Sequence, residues 1–313
     1  MNAERDQAIQ QSEAVQARKG RLMRRASYAS VTAAGVLILV KVAAFILTDS
    51  MALFSSLIDS MLDAAAAVVN LLAIRQALTP ADREHRFGHG KVEALAGLAQ
   101  SAFIAGSALF LVVEAGQRLV APRPVEDGAF GIGVMSFSIL VTAALILYER
   151  HVARATESIL IGADLLHYVG DLLVNGGVIL ALVLDSEFHW HMADPLVAIL
   201  ISIYIVTTSW RIGRRSLDQL MDHELPDEER SRIKEIALGH PNVVALHDLR
   251  TRAAGPNRFI QLHLEMRAEM PLLRAHTIAD EVEAELLKAF PGAEVIIHQD
   301  PAGVEEPRAQ FAG

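Results

Sequence analysis

Apolar residues fall in six blocks separated by short polar stretches: 26–47, 51–74, about 92–119, 130–148, 159–184 and 195–212. Each block is near or above the ~20 residues that carry a helix across hydrocarbon at about 1.5 Å per residue. The pattern therefore predicts six membrane-spanning helices. The basic cluster Arg18, Lys19, Arg21, Arg24 and Arg25 precedes the first block. That block is longer than the roughly 7–15 apolar residues of a secretion signal, so it is expected to remain as the first span.

After Arg215 the pattern changes. Pro226 followed by Asp227, Glu228 and Glu229 marks the start of a helix running to about Gly239, with acids in the first turn. Pro241 and Asn242 interrupt it. Residues 243–252 and 258–267 alternate as strands around Ala253-Ala254-Gly255-Pro256-Asn257, which predicts a hairpin. Residues 272–290 have helical periodicity, Pro291-Gly292 ends it, and 293–298 reads as a last strand. The order αββαβ implies a small α+β domain with its helices on one face of the sheet. The expected fold is thus an all-α, six-helix transmembrane bundle followed by a C-terminal α+β domain. Its expected parts are a cytoplasmic N-terminal tail (1–25), the membrane domain (26–215), the α+β domain (216–301) and a disordered tail (302–313).

The net charge of −9 matters less than where the charges lie. Residues 18–25, the 75–91 loop, Arg150 with Arg154, and Arg211 with Arg214 and Arg215 all fall on one side of a six-span layout. The other side has Thr48-Asp49-Ser50, a mixed loop with Arg118, Arg123, Glu126 and Asp127, and a 185–194 loop without Lys or Arg. The positive-inside rule then places both termini in the cytoplasm. The absence of cysteine excludes disulfides, thiolate metal sites and iron–sulfur clusters. Basic residues flank apolar runs and do not interleave with aromatics, so no nucleic-acid surface is expected.

Two pairs of metal-competent side chains stand inside the apolar blocks: Asp59 with Asp63, and His167 with Asp171. A spacing of four residues puts each pair on one helix face. By the helical rise, Asp59 and Asp63 lie roughly 12 and 18 Å below the outer end of the second span. Asp171 and His167 lie roughly 20 and 26 Å below that of the fifth. Tilt and uncertain span ends cover the remaining offset. A carboxylate in hydrocarbon costs about 3 kcal/mol on insertion scales unless partnered. Helix–helix hydrogen bonding by protonated acids would explain one such residue. Four, at compatible depths, point to a single N/O site suited to a tetrahedral zinc-like ion. A membrane hydrolase would need a base or nucleophile beside the metal, and no H-E-x-x-H motif is present.

Two further groups follow. The loop 79–90 carries Asp82, His85 and His89, a spacing that brings three ligands around a turn, although short loops often carry solvated histidines. The C-terminal domain carries His247, His263, His276, His298 and Asp300 on predicted strands and a helix. Single histidines in such a domain are usually ordinary surface or core residues, but five candidate ligands favour a shared cluster. His189 and His191 beside Trp190 read as membrane-interface residues. Lys41 is expected to snorkel to the outer surface. Asn70, Glu93, Gln100, Glu114 and Asn175 are assigned no ligand role.

Six spans, D-x-x-x-D, H-x-x-x-D, the Phe87-Gly88-His89-Gly90-Lys91 loop and a histidine-bearing α+β tail together resemble the cation diffusion facilitator family, in its bacterial zinc/ferrous-iron efflux branch. The resemblance runs from about residue 26 to 301. It implies that Asp59, Asp63, His167 and Asp171 form the transport site and that Asp82, His85 and His89 form a loop site. It also implies a binuclear cytoplasmic site of His247, His263, His276, His298 and Asp300, the aspartate bridging two ions. Lys91 and Asp222 match positions that form a charge interlock near the membrane surface in that branch. By the same resemblance the chain is expected to be a homodimer in the bacterial inner membrane, among lipids, and not an enzyme. It would exchange cytoplasmic Zn²⁺, with Cd²⁺ and Fe²⁺ as further substrates, for protons by alternating access. One imidazole among three carboxylates favours zinc over the harder Mn²⁺ or Mg²⁺. The competing reading is a metal-sensing or scaffold membrane protein that binds zinc without moving it.

Overall fold

A computed structural model of the chain describes residues 2–49, 51–120, 129–188 and 192–304. His189, Trp190 and His191, the loop charges Arg123, Glu126 and Asp127, and tail residues 305–313 lie outside the described residues.

Six long helices come first: α1 (Asn2–Thr48), α2 (Met51–Ala77), α3 (Lys91–Val120), α4 (Ala129–Thr156), α5 (Ile159–Phe188) and α6 (Ala193–Leu220). All six contain a stretch long and apolar enough to cross a membrane. They run beyond the apolar blocks because nothing stops them there. Residues 2–25 contain no proline and are rich in alanine, glutamine, glutamate and arginine, all good helix formers, so the expected tail is helical from Asn2. The chain divides into two compact units, 19–220 and 1–18 with 221–313. The first eighteen residues thus belong with the C-terminal domain, whereas the sequence had them as a separate tail.

Within the membrane unit α3 and α5 both pack on α6, and α5 also on α4. Small residues allow these close approaches. A Cβ at Gly177 would lie 2.6 Å from the Ile201 side chain, and one at Gly213 would lie 2.9 Å from Ser101 Oγ. The junction between α4 and α5 is sharp. Glu157 takes a left-handed conformation (φ 60°), and the Ile161 N–H donates to Ser158 Oγ at 3.2 Å, capping α5. Ser158 Oγ itself donates to the buried Glu93 carboxylate of α3 at 2.6 Å. This fixed start sets the depth of every residue along α5.

The C-terminal unit contains α7 (Asp227–Leu238), β1 (Ala245–Ala254), β2 (Asn257–Met266), α8 (Leu272–Ala289) and β3 (Ala293–Pro301). The sheet order is β1-β2-β3, antiparallel between β1 and β2 and parallel between β2 and β3, with α8 as the crossover. This is the expected αββαβ order. Along β2 the residues Ile260, Leu262, Leu264 and Met266 are buried against Ile233 of α7 and Ile278, Val282 and Leu286 of α8. Because strand side chains alternate, His263 and Glu265 project from the other face, which neither helix covers. The start of α1 packs on α8. Ala8 meets Ala284 and Leu287, and Arg5 pairs with Asp280 at 3.0 Å and Glu283 at 2.9 Å.

Candidate metal centres

The first centre lies between α2 and α5. His167 Nε2 is 3.0 Å from Asp63 Oδ1 and 3.7 Å from Asp171 Oδ2. One ligand atom from each of the three residues lies within 4.8 Å of the others. Asp59, one turn from Asp63, lies outside this cluster but lines the same cavity of about 370 Å³. Asn175, which carried no assignment, also lines the cavity. So does Lys41. It is buried, and its ammonium donates to Ser60 Oγ at 2.7 Å and to the Ser56 carbonyl at 3.1 Å, instead of reaching the outer surface. The arrangement supplies imidazole and carboxylate donors to one point, with a fixed cation in the same chamber.

The second centre is the loop before α3. Asp82 Oδ1 accepts hydrogen bonds from the backbone N–H groups of His85 (2.6 Å) and Glu84 (2.9 Å), forming an Asx-type turn. Gly88, at φ 75°, turns the chain again so that His89 comes back to the aspartate. His85 Nδ1 and His89 Nε2 each lie 3.4 Å from an Asp82 oxygen. The His85 N–H chiefly, then that of Glu84 and the two imidazoles, hold the Asp82 carboxyl below the ordinary carboxylate value. All three predicted loop residues meet.

The third centre is on the uncovered sheet face. Strand pairing aligns His247 with His263 and His263 with His298, one histidine per strand in a single row. Asp300, two residues beyond His298, therefore lies on the same face. Its Oδ2 is 2.8 Å from His263 Nδ1 and 3.1 Å from His247 Nε2, and its Oδ1 is 3.1 Å from His298 Nε2. One carboxylate thus faces three imidazoles, and they leave it only 7% exposed. This N/O donor set suits Zn²⁺. His276 does not join it. It lies on α8, which covers the opposite face of the sheet, and it faces Asp280 at 3.7 Å.

Sequence reasoning missed two carboxylates here. Glu265 lies 3.0 Å from His247 Nδ1, and Asp248 lies 3.8 Å from His263 Nε2. Glu265 was legible as the same-face neighbour of His263, two residues along β2. Asp248 was not, because it reaches the site through an irregularity in β1, where it takes a left-handed φ of 48°. Lys91 Nζ donates to the Leu220 carbonyl at 3.2 Å, and Asp222 accepts from Arg252 at 3.2 Å.

Comparison with known proteins agrees with this architecture. The cation efflux transmembrane domain model matches residues 27–221, and the cation efflux protein cytoplasmic domain model matches residues 225–302. The chain is 48% identical over 285 residues to the cation-efflux pump FieF of Salmonella choleraesuis (strain SC-B67) and equally to that of Salmonella agona (strain SL483). In each case 91% of this chain and 95% of the relative are covered. A solved chain of CzrB in its zinc form is 40% identical over 28% of this chain and 99% of its own, with a TM-score of 0.25. With both halves of the chain matched and nearly half of its residues shared with full-length relatives, the protein belongs to the cation efflux family.

Proposed function

We propose that this protein exports Zn²⁺ from the cytoplasm across the bacterial inner membrane in exchange for protons, with Cd²⁺ and Fe²⁺ as further substrates. The observation that carries the reading is the convergence of Asp63, His167 and Asp171 on one point within two spans. Metal ligands must shed protons before they bind, so protons and zinc compete for the same lone pairs. Opening to the cytoplasm loads zinc and opening outward lets protons displace it. Asp59 lines the cavity and supplies the fourth ligand when α2 turns toward the ion.

The His247, His263, His298 and Asp300 cluster holds cytoplasmic zinc and, through its uncovered sheet face, joins two copies as a homodimer. Asp300 meets histidines through both of its oxygens, which supports a bridging role between two ions. Asp82, His85 and His89 hold a further ion at the loop. Lys91 and Asp222 act as a charge interlock near the membrane surface. Purified protein in liposomes tests the main reading. Zinc flux that rises with an inward proton gradient is expected, and zinc binding without flux would refute it.

A further inference from the structure

Six residues further into the bundle than Ser158, the cap of α5, Asp164 marks a second polar cluster, distinct from the three centres above. Asp164 is 2% exposed and Glu149 of α4 is 0% exposed. Asp164 Oδ2 accepts from Ser30 Oγ of α1 at 3.0 Å, and Oδ1 accepts from Asn70 Nδ2 of α2 at 3.0 Å. The Tyr168 hydroxyl stands 2.6 Å from Ser30 Oγ. The Glu149 carboxyl faces Asp164. Both of its oxygens are buried, and among the described residues no donor reaches either one.

The ionisable groups acting on the pair, among the described residues, are His167 and Tyr168 on α5 and, through Tyr168, Asp63 on α2. α1 and α2 otherwise contribute the neutral Ser30 and Asn70. Two carboxylates cannot hydrogen-bond to each other, and a bare buried pair without a cation is strongly unfavourable. A single proton between them satisfies both. It gives Glu149 its missing partner as a donor, while Asp164 keeps the charge under two hydrogen bonds.

We propose that Glu149 and Asp164 form a proton-binding site that holds one proton on the cytoplasmic side of the Asp63–His167–Asp171 cluster and loses it when zinc binds there. Asp164 is one turn from His167, so the positive charge of a bound divalent ion acts on the pair through a medium of low dielectric. The proton then leaves toward the basic cytoplasmic end of α4. The O–H bond of Glu149 breaks, its electron pair stays on the carboxylate, and the new negative charge balances part of the incoming zinc charge. This rests on the transport reading for its role in the cycle, but its test needs no flux.

Infrared difference spectra of the full-length protein in lipid nanodiscs read the proton directly. The carbonyl band of a protonated, deuterium-sensitive carboxyl is expected in the wild type at neutral pH. It should be lost in both Glu149→Gln and Asp164→Asn, which keep side-chain shape and supply an amide donor. Zinc titrated into weakly buffered protein with a pH indicator is expected to release about one proton fewer per ion in Glu149→Gln. A band that persists in both variants, or an unchanged proton count in a variant that still binds zinc, overturns the proposal. Loss of flux in a wild-type protein that passes both tests would count against transport alone.

Discussion

His167 Nε2 and Asp63 Oδ1 stand 3.0 Å apart although 104 residues separate them in the chain. An imidazole on α5 and a carboxylate on α2 are thereby held at one depth in the bundle. Asp63 meets His167 directly, whereas counting helical rise from the span ends brought Asp63 nearest to Asp171.

Asp63→Ala and Asp171→Ala are each expected to abolish zinc flux in proteoliposomes while leaving a folded protein. Losing a direct ligand should weaken zinc binding by more than the ~10–100-fold typical of outer-shell partners. Asp59→Ala should weaken binding less in the conformation shown here, where Asp59 stands outside the cluster. Isothermal titration of the three variants gives the order, and equal losses would place Asp59 among the resting ligands.

The six spans and both intramembrane pairs were legible because hydropathy blocks and i,i+4 spacing are local signals. The αββαβ order was legible for the same reason. Partners brought together by packing across the chain were not. Lys41 reads as a residue near a span end, yet Ser56 and Ser60 of α2 hold its ammonium inside. Asp164 sits one turn from His167 in the same apolar run, but only the fold reveals that Glu149 reaches it from α4. His276 reads as one more histidine of the cytoplasmic set. Its helix packs on the face of the sheet opposite His247, His263 and His298, and only sheet topology reveals that.

Lys41 lines the chamber that the proposed function assigns to zinc, where its ammonium would repel the ion. Lys41→Met removes that repulsion and is expected to tighten zinc binding by about tenfold, equivalent to ~1.4 kcal/mol. Tighter binding should slow release, so turnover falls as affinity rises. Titration and flux on the same preparation check both halves, and weaker binding would assign Lys41 a structural role through Ser60.

On the sheet face, His263→Ala is expected to weaken zinc binding by the cytoplasmic domain and to lower transport only partly, since His263 lies against Asp300 and not in the membrane cavity. His276→Ala should spare the ion held by His247, His263 and Asp300. Equilibrium dialysis of zinc with the two full-length variants separates them. Loss of that ion in His276→Ala would mean that a second copy of the chain brings His276 to it.

The start of α1 is fastened to α8 by Arg5, which pairs with Asp280 and Glu283. Burial pushes the Glu283 carboxyl above its ordinary value, while Arg5 draws it back down. An acid whose value is raised on folding stabilises the fold at low pH, and that contribution is lost as pH rises through the folded-state value. Arg5→Ala removes the opposing cation, so the loss with rising pH should be larger than in the wild type. The cost at neutral pH is expected to be about 0.5–1 kcal/mol after solvent screening. Hydrogen exchange across residues 2–18 and thermal unfolding at several pH values test it. Unchanged protection would show that Ala8 and its apolar neighbours hold the segment unaided.

The loop centre separates charge from architecture, because Asp82 does two jobs. Its Oδ1 accepts the Glu84 and His85 backbone N–H groups, and its charge faces both imidazoles. Asp82→Asn retains an oxygen that can accept those N–H groups, so it should preserve the turn and lose the metal. Asp82→Ala should lose both. Since the backbone bonds hold this carboxyl below its ordinary value, the wild-type aspartate stays charged in acid that half-protonates an ordinary one. Zinc stoichiometry measured beside hydrogen exchange over residues 82–90 distinguishes the two substitutions. Full loop occupancy in Asp82→Asn would reduce Asp82 to a turn-former and leave the histidines as the metal's holders.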